Sequence, residues 1–147
     1  MITQTSCTIF QQNLLQGLEN FTLTSPYVYK IALYNANANI NSSTTVYTTV
    51  NEVTGNGYTP GGLALTISTP PTTDTTNNIS YVSFNNAIWT PASFTARGAL
   101  IYNSTTGAAC FSLNFGSDKT CNSTFTVVFP TANSSSAILS ITSNTNP

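Results

Sequence analysis

Between Cys110 and Phe115 every second side chain is large and apolar. Phe111, Leu113 and Phe115 fall on one side, and Cys110, Ser112 and Asn114 on the other. A repeat of two is the mark of a strand with one buried face. The same repeat returns along the chain. Tyr29, Ile31 and Leu33 oppose Lys30, Ala32 and Tyr34; Leu63, Leu65 and Ile67 alternate; Val82 and Phe84 share a face within residues 79–84. Leu100 and Tyr102 do so between Ala96 and Tyr102, as do Phe125, Val127 and Phe129, and finally Ala137, Leu139 and Ile141. Val46 to Val50 reads as a further extended stretch. Helical spacing occurs once, where Phe10, Leu14 and Leu18 recur every fourth residue with Leu15 beside them and Gly17 near the end. With seven or eight short strands and no helices between them, parallel winding is excluded. The expected fold is all-β, an antiparallel β-sandwich or related barrel with one short N-terminal helix.

The punctuation between these runs sets further expectations. Thr54 to Tyr58 and Pro60-Gly61-Gly62 supply residues that permit tight reversals. Ser68 to Asn78, with Pro70 and Pro71, reads as an exposed loop. Gly116 to Thr120 reads as the loop of an antiparallel hairpin formed by the Cys110–Phe115 and Thr124–Phe129 runs. Trp89 is the largest hydrophobic group available and is expected to seal one edge of the core. The whole of residues 1–147 reads as one domain, with an N-terminal arm and helix over about residues 1–20 and a short C-terminal tail. Met1 to Thr8 and Thr142 to Pro147 hold little apolar content. They are therefore expected to contact other subunits rather than their own domain.

Charge is the unusual quantity. Only 5% of the residues are Asp, Glu, Lys or Arg, against about 25% in ordinary domains. The surface must be built from Thr, Ser and Asn, and it resists association weakly. Three cations and a net charge of −1 leave no electrostatic footprint for nucleic acid. No apolar run approaches the roughly twenty residues of a membrane span, and the N-terminus lacks the basic and apolar regions of a signal peptide. Six Asn-x-Ser/Thr patterns, at Asn20, Asn41, Asn78, Asn103, Asn122 and Asn133, fit chance in a chain of this composition.

The inventory for chemistry is thin. There is no His, which removes the usual general base and the commonest metal ligand. The acids are Glu19, Glu52, Asp74 and Asp118. Glu19 is placed at the helix end and the two Asp in loops. Glu52, beside Val50 and Val53, is the one acid in an apolar setting, and it fits a salt bridge or a hydrogen bond to turn amides better than a catalytic role. Arg97, the single Arg, is expected to pair with Glu52 within the chain. The glycine clusters lack the Lys of a phosphate-binding loop. Cys7, Cys110 and Cys121 form no Cys-x-x-Cys, and the hairpin register would hold Cys110 and Cys121 roughly 16 Å apart, so all three thiols are expected free. No residue is assigned as catalytic, cofactor-binding or metal-ligating, and the chain reads as a non-enzyme without a cofactor.

Four phrases carry a resemblance: "LLQGLENF" (Leu14 to Phe21), "KIALY…TTVYTT.NEV.G.GYT.GG.AL" (Lys30 to Leu65), "ARGALIYNS" (Ala96 to Ser104) and "FGSDKT…FTVVFP" (Phe115 to Pro130). In this order they resemble a family of small virion proteins of tailed bacteriophages. The resemblance implies a structural part of a virion and leaves open which part. The favoured expectation is a capsid cement, or decoration, protein on the capsid exterior. It would be made in the host cytoplasm, assemble as a homotrimer and bind the major capsid protein, with neither nucleic acid nor membrane as partner. The alternative is a fibre or tail-tip domain that binds a host glycan through Tyr34, Asn35, Tyr47 and Tyr58. A glycan-degrading enzyme using Glu52 is the third reading.

Overall fold

The structure, a computed structural model, describes residues 1–143. In chain order it contains β1 (Thr5–Ser6), α1 (Thr8–Leu15), β2 (Tyr29–Tyr34), β3 (Leu63–Ala64), β4 (Ile67–Asp74) and β5 (Ile79–Phe84). These are followed by β6 (Ala87–Trp89), β7 (Phe94–Asn103), β8 (Ala109–Cys121), β9 (Phe125–Val127) and β10 (Leu139–Thr142). All the strand pairings are antiparallel. A five-stranded sheet has the order β1-β8-β7-β2-β3; a three-stranded sheet, β10-β5-β4, and the β6-β9 pair complete the fold. The fold is all-β and sandwich-like, with one short N-terminal helix.

Register explains how the large sheet is covered. Ile31 lies opposite Ile101, which lies opposite Phe111, and Leu33, Ala99 and Leu113 form the next row of the same face. Phe10 of α1 packs on Phe111 with ring centroids 4.6 Å apart, and Phe21 stacks on Tyr29 at 4.5 Å. Phe84 of β5 closes on both Phe21 and Tyr29. The helix and the small sheet thus share one face. Ala32, Tyr34, Leu100, Tyr102 and Ser112 belong to the other face, and they too are buried. Their cover is the Asn/Ser-rich arch after β2. Tyr47 stacks on Tyr102 at 4.5 Å, and the buried Ser112 hydroxyl donates to the Ile40 carbonyl at 3.1 Å. β2 and the middle of β7 and β8 are therefore buried on both sides, where simple alternation implied one.

Trp89 is 2% exposed and sits among Tyr58, Phe94 and Phe125, where β6-β9 meets the end of β7. Its role at the core edge is as expected.

Several local expectations are corrected. The final hairpin does not form: β8 continues through Gly116 to Cys121 and pairs with β7, while β9 pairs with β6. Alternation tells which face is buried, not which strand lies alongside. Gly116, at φ +78°, lies in a bulge of β8 opposite Arg97, between the Ala96–Lys119 and Gly98–Asn114 pairs. The expected loop from Ser68 is in its first half the edge strand β4. Pro70 and Pro71 have no N–H to donate, and an edge with a shifted register does not ask for one. Val46 to Val50 forms no strand; only Val46 bridges, to Ala108.

The helix stops at Leu15, and Phe10 is its one buried residue; Leu15 and Leu18 are exposed. The N-terminal arm is not free. β1 pairs with β8, Ile2 and Cys7 are buried, and the Thr3 N–H donates to the Ile40 carbonyl at 3.0 Å. Asn114 adds bonds to the Gln4 side chain and the Ile2 carbonyl. Ile2 and Cys7 are enough apolar surface to seat a segment whose backbone finds a ladder on β8. Of the expected C-terminal tail, Thr142 belongs to β10, and residues 144–147 lie outside the described residues.

Candidate functional site

The most organised polar constellation surrounds Glu52. Tyr34, the last residue of β2, bridges to Glu52 across the start of the Gly-rich loop. The carboxylate is 7% exposed and each of its oxygens is engaged. Oε1 accepts from the Tyr58 hydroxyl at 2.6 Å and the Gly61 N–H at 2.7 Å, and Oε2 accepts from the Tyr47 hydroxyl at 2.6 Å. Tyr58 passes the network on by accepting from the Leu33 N–H at 2.8 Å, and Tyr102 donates to the Gly61 carbonyl at 2.9 Å. The loop returns flush against the sheet. A Cβ at Gly62 would lie 1.8 Å from the Ile31 carbonyl oxygen, and one at Gly57 would lie 1.9 Å from that of Pro91. The Asn-Glu-Val … Gly-Tyr … Gly-Gly phrase is thus a clasp that pins the loop over β2.

The clasp also governs the tyrosines. Burial raises the ionisation of Tyr58 and Tyr47 far above the usual tyrosine range, and their hydrogen bonds to Glu52 raise it further. Tyr34 and Tyr102 are raised by burial first and by the charge of Glu52 second. Two tyrosine hydroxyls and one backbone N–H on the carboxylate, with Tyr34 and Tyr102 bonded to nearby carbonyls, form an arrangement suited to holding structure together.

Glu19 lies beyond the helix end and is half-buried. It accepts from Asn13 at 3.2 Å, from the Tyr29 hydroxyl at 2.8 Å and from Asn103 at 3.0 Å. Tyr29 and Tyr34 are the two ends of β2, so Glu19 and Glu52 are separated by about 16 Å of strand. Paired glycosidase carboxylates stand about 5–9.5 Å apart. Asp74 caps its own turn, accepting from the N–H groups of Thr76 and Asn77 and from the Asn77 side chain. Those bonds to Asn77 hold its carboxyl below the usual range. Arg97 pairs with Asp118 at 3.6 Å, not with Glu52, because the β8 bulge brings Asp118 beside it. Among the described residues no three His, Cys, Asp or Glu side chains stand together as a metal site. The three cysteines are free, Cys7 and Cys110 buried and Cys121 half-buried.

The side chains proposed for glycan stacking are not available as a set. Tyr34 and Tyr58 are buried, and of the four only Asn35 and Tyr47, the latter stacked on Tyr102, keep partial access. The spacing from Glu52 to Tyr58 and Gly61 was visible in the sequence. What would have identified the clasp is the coincidence of a lone apolar-flanked acid with tyrosines and close-approach glycines in one loop.

Outside the clasp, the surface carries exposed apolar side chains and few charges. Ile9, Leu18, Tyr27, Val46 and Ala108 line an open groove of about 340 Å³. Phe115, Lys119 and Phe125 to Val128 line another, of about 440 Å³, between β8 and β9. No family model, no curated protein and no solved structure among those compared with the chain matches it.

Proposed function

We propose that the chain is a structural protein of a tailed-phage virion, a cement protein that sits on the capsid exterior as a homotrimer and bridges neighbouring copies of the major capsid protein. The observation that carries this reading is the fate of the seven charged side chains. Glu52 and Glu19 are consumed inside the fold, Arg97 and Asp118 face each other, and Asp74 caps its own turn. That leaves Lys30 and Lys119. The remaining surface is Thr, Ser, Asn and exposed apolar groups such as Leu18, Val46 and Val128. Such a surface does not repel copies of itself or a shell, and it suits permanent assembly through apolar and backbone contacts.

With residues 1–8 woven into their own domain, the bridging contacts fall to the folded surface and its open strand edges rather than to a free arm. The engagement of Glu52 by three donors and the burial of Tyr34 and Tyr58 favour this reading over the enzymatic and glycan-binding ones.

Mass spectrometry of gradient-purified particles tests the proposal. The protein should be present in copy number comparable with the major capsid protein. Particles made without it should assemble and then release their genome at lower temperature. Absence from purified particles, or a handful of copies at one vertex, refutes the cement role.

A further inference from the structure

Just past the ladder that pairs Thr5 with Ser112 and Ser6 with Phe111, the Cys7 N–H donates to the Cys110 carbonyl at 2.8 Å. A backbone N–H···O bond between neighbouring strands keeps the two Cα atoms about 5.5 Å apart. A disulfide spans Cα separations of roughly 4.4–6.8 Å. Cys121, by contrast, lies at the far end of β8, opposite Phe94. We propose that Cys7 and Cys110 are a dithiol that closes to a disulfide and locks the first strand onto β8.

Both side chains are fully buried, and each thiol donates to a separate carbonyl, Cys7 to Asn41 and Cys110 to Ala108, at 3.7 Å. Closure therefore turns the two sulfurs away from those acceptors and toward one another. Burial pushes the Cys7 thiol up to about 11 and the Cys110 thiol still higher, Cys110 also feeling the nearby charge of Glu19. The thiolate is the attacking species, so the closed domain is inert. Reaction passes through folding or through opening of residues 1–7.

The oxidant is a low-molecular-weight disulfide such as oxidised glutathione. The Cys7 thiol gives its proton to solvent and attacks one sulfur of that disulfide, whose S–S bond breaks and releases one small thiol after protonation. The Cys110 thiolate then attacks the Cys7 sulfur of the mixed disulfide and expels the second small thiol. Two protein thiols are oxidised and one small disulfide is reduced to two thiols.

The test uses the full chain carrying Cys121→Ser, refolded from denaturant in an oxidising glutathione buffer. Expected are no titratable thiol after denaturation, a mass two hydrogens below that of the reduced chain, and a non-reducing peptide map joining residues 7 and 110. The urea midpoint should rise relative to the reduced protein and fall back on adding a dithiol reductant. Two surviving thiols, or a glutathione adduct on each cysteine, overturn the proposal. If refolding gives no monomer, prolonged incubation of the native variant in the same buffer is read by the same mass and peptide map, and persistence of both thiols there overturns it equally.

Discussion

Replacing Glu52 by Ala should be among the most damaging single changes to this fold. The substitution strands the Tyr58 hydroxyl and the Gly61 N–H, both buried and both donating to Oε1. A buried donor left without an acceptor costs about 1–3 kcal/mol, so the two together cost about 2–6 kcal/mol. Tyr47, half-buried, can turn its hydroxyl to water and adds little. Against a total stability of about 5–15 kcal/mol, the variant should be severely weakened and partly unfolded in the marginal case. Trp89 is the only tryptophan and lies 6.2 Å from the Tyr58 ring, so its fluorescence reports the clasp in urea titrations. The midpoint should fall with the slope unchanged, the sign of lost stability rather than altered compactness. Glu52→Gln, which keeps one acceptor oxygen, should lose less. A loss below about 1 kcal/mol for Glu52→Ala, at constant slope, would falsify the view that this carboxylate pins the loop.

Four other outcomes are expected. Deleting residues 1–7 should lower the stability of the isolated domain by at least about 2 kcal/mol, because Ile2 is buried and β1 pairs with β8; a melting temperature unchanged from the full chain would contradict the docked arm. Leu113→Ala should cost about 2–5 kcal/mol, while Ser112→Ala, which removes a buried hydroxyl bonded to Ile40, should cost about 1 kcal/mol rather than nothing. Alkaline titration should show Tyr29, Tyr34, Tyr47 and Tyr58 un-ionised until the domain unfolds. Their folded ionisation is raised above the unfolded value of 10.0, so the stability they contribute is intact below that pH and is lost as pH rises beyond it; four tyrosines titrating near 10 in the folded protein by ultraviolet absorbance would refute this. Finally, dissociation of the protein from particles should change little between low and moderate salt, since screening acts on charges, of which this surface carries few; a steep loss in sedimentation assays across that range would refute an interface held by apolar and backbone contacts.

What could be read from the sequence was the position and the inward face of most strands. β5 spans the alternating run from Ile79 to Phe84, and Phe111, Leu113, Phe125 and Val127 are all buried as their spacing implied. Partnership was harder. The Phe111 and Phe125 runs are neighbours in sequence with Gly-Ser-Asp between them, yet each finds another partner, because a period of two is satisfied equally by any strand that meets the same face. The prolines at 70 and 71 misled in the opposite direction, since an edge strand tolerates what a central one forbids. The clasp escaped for a related reason. Tyr34, Tyr47 and Tyr58 sit among Asn, Ser and Thr, a polar setting that reads as surface, and only the fold reveals that the arch lies over the second face of the sheet. Glu52 was singled out, and its bond to a turn amide was foreseen; its pairing with Arg97 was not realised because a four-residue bulge in β8 offered Asp118 first.

The union of β1 with β8 has a consequence for the chain as it is made. Residues 5 and 6 are made about a hundred residues before Phe111 and Ser112, the part of β8 that receives them. At roughly 5–20 residues per second, the wait is on the order of ten seconds. Until then β7 has no neighbour on the β8 side, and the apolar row that ends at Ile101 stands open at that edge. Synthesis halted before Ala109 therefore yields no smaller folded unit, only an unfinished sheet. Each of the three sheets thus waits for a strand from the last third of the chain: β8, β9 and β10.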